Sequence, residues 1–375
     1  MEIYSDFRKN RDIQNLASLI NKEARGRVNI MEICGGHTHS IMKYGLNRLL
    51  DGKINFLHGP GCPVCVMPLR RIDKAIEIAA LPDVILAAFG DMMRVPGTES
   101  SLIKERAKGR DIRMVYSPLD ILKIAEEKEN KNKRLVFFAI GFETTTPMTA
   151  ALLDEVIKRG IENTLFFINH VIVPPPIEAI LDSGGNAIDG FICPGHVSVI
   201  TGISIYDSIP LKYKKSAVIS GFEPYDILSS VLLITRQINE NNPRVEIAYK
   251  RAVSMDGNRK AREIAEKYFE LRDEFEWRGF GNIPKSGLKL REKFRDLDAE
   301  YVFKAELNET DGKEKAANAL EKACKCGNIL RGISKPTDCS LFARACTPEN
   351  PVGACMVSSE GACAAYYKYK DSCID

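Results

Sequence analysis

Two short segments concentrate the side chains best able to bind a metal or move electrons. Cys34-Gly-Gly-His37-Thr-His39 places one thiol and two imidazoles within six residues. Thiolate and imidazole are ligands suited to iron, zinc or copper. The paired glycines let the backbone turn sharply or approach a bound group closely. The bland alternative is a glycine-rich turn with solvated histidines. Gly59-Pro-Gly-Cys62-Pro-Val-Cys65 carries a C-x-x-C motif. That spacing on a strand-to-helix turn suits thiol–disulfide chemistry, because a helix N-terminus stabilises thiolate. Structural zinc is the rival for these two sulfurs. Gly59-x-Gly61-x-x-Cys65 imitates a dinucleotide fingerprint, but cysteine stands where a third glycine is needed for close helix–strand packing. NAD binding is therefore disfavoured, and no Gly-x-x-x-x-Gly-Lys-Ser/Thr phosphate loop occurs.

Eleven cysteines are present, and seven lie after residue 323: Cys324, Cys326, Cys339, Cys346, Cys355, Cys363 and Cys373. The spacing Cys324-x14-Cys339-x6-Cys346-x16-Cys363 allows one metal centre. Zinc ribbons pair their ligands in two C-x-x-C knuckles, which this tail lacks. Singly spread cysteines fit a cuboidal iron–sulfur cluster better. Cys324 and Cys326 are two apart, and spacing does not choose between them.

Further unusual residues are Gly90-Asp-Met-Met-Arg-Val-Pro-Gly97, Gly141-Phe-Glu143-Thr-Thr145, Asn169-His170, Cys193-Pro-Gly-His196-Val-Ser198 and Gly221-Phe-Glu223-Pro224. Alone, Thr144 or Thr145 reads as a helix cap, and Glu143 or Glu223 as an acid near a helix N-terminus. Together they point to one polar cleft between two sheets.

The elements that must position these motifs are apolar runs read as buried strands. They are Val28–Ile33, Ile54–Leu57, Val84–Phe89, Ile112–Tyr116, Leu135–Ile140, Thr164–Ile168, Gly190–Ile192, Ala217–Ile219 and Val245–Tyr249. Helical patterns lie between them at Leu69–Ala80, Leu119–Glu129, Thr149–Arg159 and Tyr225–Asn239. Such alternation implies parallel sheets covered by helices on both faces. The expected class is α/β: two Rossmann-like parallel-sheet domains plus a mainly helical, cysteine-rich iron–sulfur domain. The expected divisions are a helical segment 1–25, a first domain 26–130, a second 131–252 and a C-terminal domain 253–375. Met255–Arg278 reads as one long amphipathic helix. Residues 10–24 read as a helix packed against the third domain. In open parallel sheets, sites gather at the carboxyl ends of strands, where most of these motifs fall.

The 375 residues include 53 Lys plus Arg and 50 Asp plus Glu, a net charge of +3. So even a balance argues against nucleic acid or anionic membrane as the main partner. No apolar run approaches the roughly 20 residues that span a bilayer. Met1–Arg11 is polar and unlike a signal peptide, so a cytoplasmic location is expected. In a reducing compartment the cysteines are metal ligands or redox groups before they are a disulfide framework.

On the motifs at 34–39, 59–65, 141–145, 194–198 and 221–224 and the tail cysteines, the chain resembles the HypD family of hydrogenase maturation proteins. The matching pieces run in order over nearly the whole chain. The resemblance implies a scaffold on which the Fe(CN)2CO group of [NiFe] hydrogenases is built, in complex with HypC. Cyanide would come from HypE, with HypF upstream, and the hydrogenase large subunit would be reached indirectly through HypC. It implies that Cys324, Cys339, Cys346 and Cys363 bind a [4Fe-4S] cluster. It also implies that Cys34 holds the assembled iron and that Cys62 and Cys65 are a thiol–disulfide pair. Such a protein is a redox-active metal-assembly scaffold rather than an independent turnover enzyme. Cys326 and Cys355 are left over and are expected to pair as a disulfide.

The chemistry of the residues agrees. Iron bearing cyanide and carbonyl needs soft thiolate anchoring, and a cluster plus a dithiol can supply electrons. His37, His39 and His196 can ligate, relay protons or hydrogen-bond cyanide. The rival readings are a zinc metallohydrolase built on His37 and His39 with His170 and His196, and a thiol-redox protein without iron assembly.

Overall fold

The computed structural model describes residues 10–50, 52–184, 187–307 and 319–369. Every apolar run named above forms a strand. These are β1 (Val28–Glu32), β2 (Ile54–His58), β3 (Val84–Phe89), β4 (Ile112–Val115), β5 (Arg134–Gly141), β6 (Thr164–His170), β7 (Gly190–Pro194), β8 (Ser216–Ser220) and β9 (Val245–Ile247). They build two wholly parallel, Rossmann-like sheets in the orders β2-β1-β7-β8-β9 and β4-β3-β5-β6. Helices cover the sheets, so the inner strands β7 and β8 are buried along their whole length.

The sheets do not follow one another along the chain. The four strands β3 to β6 are inserted between β2 and β7, and the first sheet closes when Ile30 pairs with Gly190. The division expected at 130/131 therefore cuts between β4 and β5, which flank β3 in one sheet. Apolar runs of similar composition carry no mark of which neighbour they pair with.

Two helical expectations are corrected. The helix Asn10–Glu23 packs on the first sheet's helix Pro224–Asn239, not on the C-terminal part. Ala17 and Ile20 share a core with Ile227, Leu228 and Val231, and Arg236 pairs with Glu23 at 2.8 Å. Residues 1–9 of that expected segment lie outside the described residues. The single helix expected over Met255–Arg278 is a helix only at Arg259–Tyr268. Beyond it, β10 (Phe269–Leu271) and β11 (Glu274–Trp277) pair with β13 (Leu288–Leu290) and β12 (Gly281–Pro284) in two antiparallel ribbons. The change of period is visible at Glu274-Phe-Glu-Trp277, where Phe275 and Trp277 are buried and their neighbours face outward. The C-terminal part thus mixes ribbons with short helices and ends in the helix Ala362–Tyr369.

Candidate functional site

Cys34 follows β1 and caps the helix Gly35–Lys43 with an extended backbone. Its N–H donates to Glu32 Oε2 at 3.2 Å, and its carbonyl accepts from the His37 N–H at 2.9 Å. Two glycines set what touches it. A Cβ on Gly61 would stand 2.5 Å from the Cys34 nitrogen, and one on Gly35 would stand 2.5 Å from Glu360 Cβ. Only glycine permits these approaches, one from the C-x-x-C loop and one from the C-terminal region. Burial and the neighbouring Glu360 and Glu32 carboxylates push the Cys34 thiol up to about 12. The thiol therefore stays protonated at neutral pH.

Cys62 and Cys65 are buried and joined as a disulfide, with Cα atoms 5.2 Å apart. The helix that follows begins at Leu69, so both cysteines lie in the turn before it, not in its first turn.

The histidines separate into different environments. His37 is fully buried, stacks on Phe222 at 4.7 Å, and donates from Nε2 to the Gly221 carbonyl at 3.1 Å. A carbonyl only accepts, so the proton sits on Nε2 and Nδ1 keeps a lone pair. Among the described residues Nδ1 has no hydrogen-bond partner. Burial lowers its pKa to about 4, so the ring is neutral. His196 lies against the same Phe222 ring at 4.1 Å. His39, two residues along the helix, turns away toward Ser359 and Tyr369. His170 is in the second sheet, bonded to Thr149 Oγ1 at 2.9 Å. The four rings therefore do not converge as a hydrolase site. Among the described residues no three or more His, Cys, Asp and Glu side chains are grouped so as to hold a single metal ion.

The second sheet contributes Glu143. Its Oε1 accepts from the Val173 N–H at 2.9 Å, while Oε2 is buried with no partner among the described residues. Burial raises its pKa to about 7. The buried Tyr206 hydroxyl is pushed well above its ordinary value by burial first, and then by Cys193, Glu143 and Cys34. Tyr206 thus stands within electrostatic reach of an acid from one sheet and a thiol from the other. No motif in the sequence marks it.

Cys324, Cys339, Cys346 and Cys363 carry free thiols and line one pocket with Ile329, Leu341, Phe342 and Met356. Burial and the other three sulfurs raise the Cys363 thiol well above its ordinary value. Cys326 is joined to Cys355 by a disulfide, as expected, which removes it from the choice with Cys324. Cys373 lies outside the described residues. Four free soft donors in an apolar pocket, with no acid or histidine lining it, match the donor set of an iron–sulfur cluster.

One buried group escaped the sequence reading altogether. Glu32 accepts from Thr38 Oγ1 and, at 2.8 Å, from His58 Nδ1; His58 Nε2 meets Tyr366 OH at 3.1 Å. The only available signal was His58 standing directly before Gly59.

Comparison with known proteins gives one consistent family. The HypD family model, described as "Hydrogenase formation hypA family", matches residues 11–370. The chain is 49% identical to hydrogenase maturation factor HypD2 of Bradyrhizobium diazoefficiens, over 98% of this chain and 97% of that one. It is 49% identical to HypD of Rhodobacter capsulatus, over 96% of this chain and 93% of the relative. Against HypD of Escherichia coli K12 the identity is 42%, again over 96% and 93%. On a family match over nearly the whole chain and relatives of 42–49% identity, the chain belongs to the HypD family of hydrogenase maturation factors.

Proposed function

We propose that the chain is the scaffold on which the Fe(CN)2CO group of [NiFe] hydrogenases is assembled, in complex with HypC and supplied with cyanide by HypE. The observation that carries this reading is the contact of Gly61 with Cys34, which brings the Cys62–Cys65 pair and the Cys34 thiol to one end of the first sheet. The iron is the cargo. Cys34 anchors it through sulfur, and a cysteine of HypC supplies a second thiolate. His37 offers the buried Nδ1 lone pair as an acceptor or ligand, which excludes hydrogen-bond donation to cyanide from that atom. Glu143, whose carboxyl pKa burial raises to about 7, and His196, packed on the same Phe222 ring as His37, are assigned as the proton-bearing groups.

Cys324, Cys339, Cys346 and Cys363 would hold a [4Fe-4S] cluster, which supplies single electrons when bound. Four free cysteines around one apolar pocket, with no acid or histidine among its lining residues, fit the donor set of such a cluster. Cys62 and Cys65 store two electrons as a dithiol. No described helix is long and apolar enough to cross a membrane, and a cytoplasmic location suits a maturation factor.

The test is an infrared spectrum of the complex with HypC purified without oxygen. Cyanide and carbonyl stretching bands support the scaffold. A redox-active dithiol without such bands would favour the thiol-redox reading instead.

A further inference from the structure

His39 and His58 make the same unusual arrangement twice. Each presents Nδ1 to an oxygen that only accepts: the Ser359 carbonyl at 3.4 Å for His39, and the Glu32 carboxylate at 2.8 Å for His58. Each Nδ1 therefore carries the hydrogen, and in the neutral ring Nε2 accepts. The donors are Tyr369 OH at 3.0 Å and Tyr366 OH at 3.1 Å. Both tyrosines meet their histidine edge to face, with centroids 5.2 Å apart in each pair. They are three residues apart on Ala362–Tyr369 and so share one face of that helix. Cys363 lies on the same helix, one turn before Tyr366.

On the other side, both histidines belong to the elements that hold Cys34. His39 is on the helix capped by Cys34, and His58 ends β2, the neighbour of β1. The Glu32 carboxylate that takes the His58 hydrogen also takes the Cys34 N–H. An unbroken path of bonds and hydrogen bonds thus runs from Cys363 through Tyr366, His58 and Glu32 to the Cys34 backbone. Gly35 packs directly on Glu360 in the same seam.

We propose that His39 and His58 are positioning residues that, with Tyr369 and Tyr366, clamp the Cys363 helix onto the Cys34 elements, so that filling the cysteine pocket sets the accessibility of Cys34. The proposal rests on the reading of the four tail cysteines as cluster ligands. It gives His39 a definite role away from the iron and explains two tyrosines that no motif marks. The bistable element is the Ala362–Tyr369 helix, seated firmly when Cys363 is bound and loosely when it is free.

The test uses the full-length chain without oxygen, cluster-free and after reconstitution with ferrous iron and sulfide. The rate of Cys34 alkylation by iodoacetamide is followed at one pH by peptide mass spectrometry. Wild type should differ between the two forms by about fivefold or more, the usual scale of coupling between two sites. In Tyr366→Phe/Tyr369→Phe the ratio should fall to near one while iron and sulfide content are kept. Lys104→Ala, exposed on the helix Leu102–Ala107, should keep the wild-type ratio. Equal Cys34 rates in the two wild-type forms, or an undiminished ratio in the double variant, would overturn the clamp. If the double variant does not take up iron, His58→Gln, which keeps both tyrosines, is read in the same way. Failure of wild type itself to take up a cluster would instead sink the reading of the cysteine pocket.

Discussion

Gly61 and Cys34 touch backbone to backbone: a Cβ on Gly61 would stand 2.5 Å from both the nitrogen and the Cα of Cys34. The contact joins a loop after β2 to the end of β1 and leaves no room for a methyl group. Gly61→Ala should destabilise the chain by about 1–3 kcal/mol, the usual cost of overpacking, and displace the Cys62–Cys65 loop. Urea denaturation measures the first effect, and an unchanged midpoint would show that the two segments can part freely.

Cys34→Ala should fold and keep its cluster, since alanine is nearly conservative for a small, half-buried thiol. Its complex with HypC should lose the cyanide and carbonyl stretching bands. Bands at full intensity would place the iron elsewhere.

The tail pocket should bind about four irons and four sulfides. Cys339→Ser and Cys346→Ser should each lose or strongly destabilise the cluster, because serine oxygen is a poorer ligand to iron–sulfide. Iron and sulfide analysis of anaerobic protein decides this, and full occupancy in both variants would defeat the assignment.

Cys62 and Cys65 should titrate against a dithiol buffer in a single two-electron step, about 30 mV per tenfold change in ratio. A tightly held zinc at these sulfurs, with no redox step, would refute the pair's role. Cys62→Ser should keep the tail cluster yet fail to mature hydrogenase.

Glu143 should make stability pH-dependent. Burial raises its pKa from 4.5 to about 7, so the folded chain holds this proton more tightly than the unfolded chain. Its contribution is complete below pH 4.5 and is lost as pH rises to about 7. Glu143→Gln cannot ionise, so it should gain stability relative to wild type from about pH 5 to about pH 8. Parallel unfolding curves at the two pH values would contradict this.

The amino-acid sequence alone determined the strands, the class and the motif positions. Runs such as Val84–Phe89 are apolar on both faces, and only a parallel strand under two helix layers buries such a run whole. The cysteine and glycine motifs were legible because few other roles demand those residues at those spacings. Pairing between distant elements was decided only by tertiary structure. Hydrogen-bonding edges are chemically alike in every strand, so nothing local says that β1 pairs with β7 across 160 residues, as Ile30 does with Gly190. For the same reason His39 looked like a partner of His37 until the helix set the two rings apart, and His58 stayed silent until folding brought Glu32 and Tyr366 to it from 26 and 308 residues away.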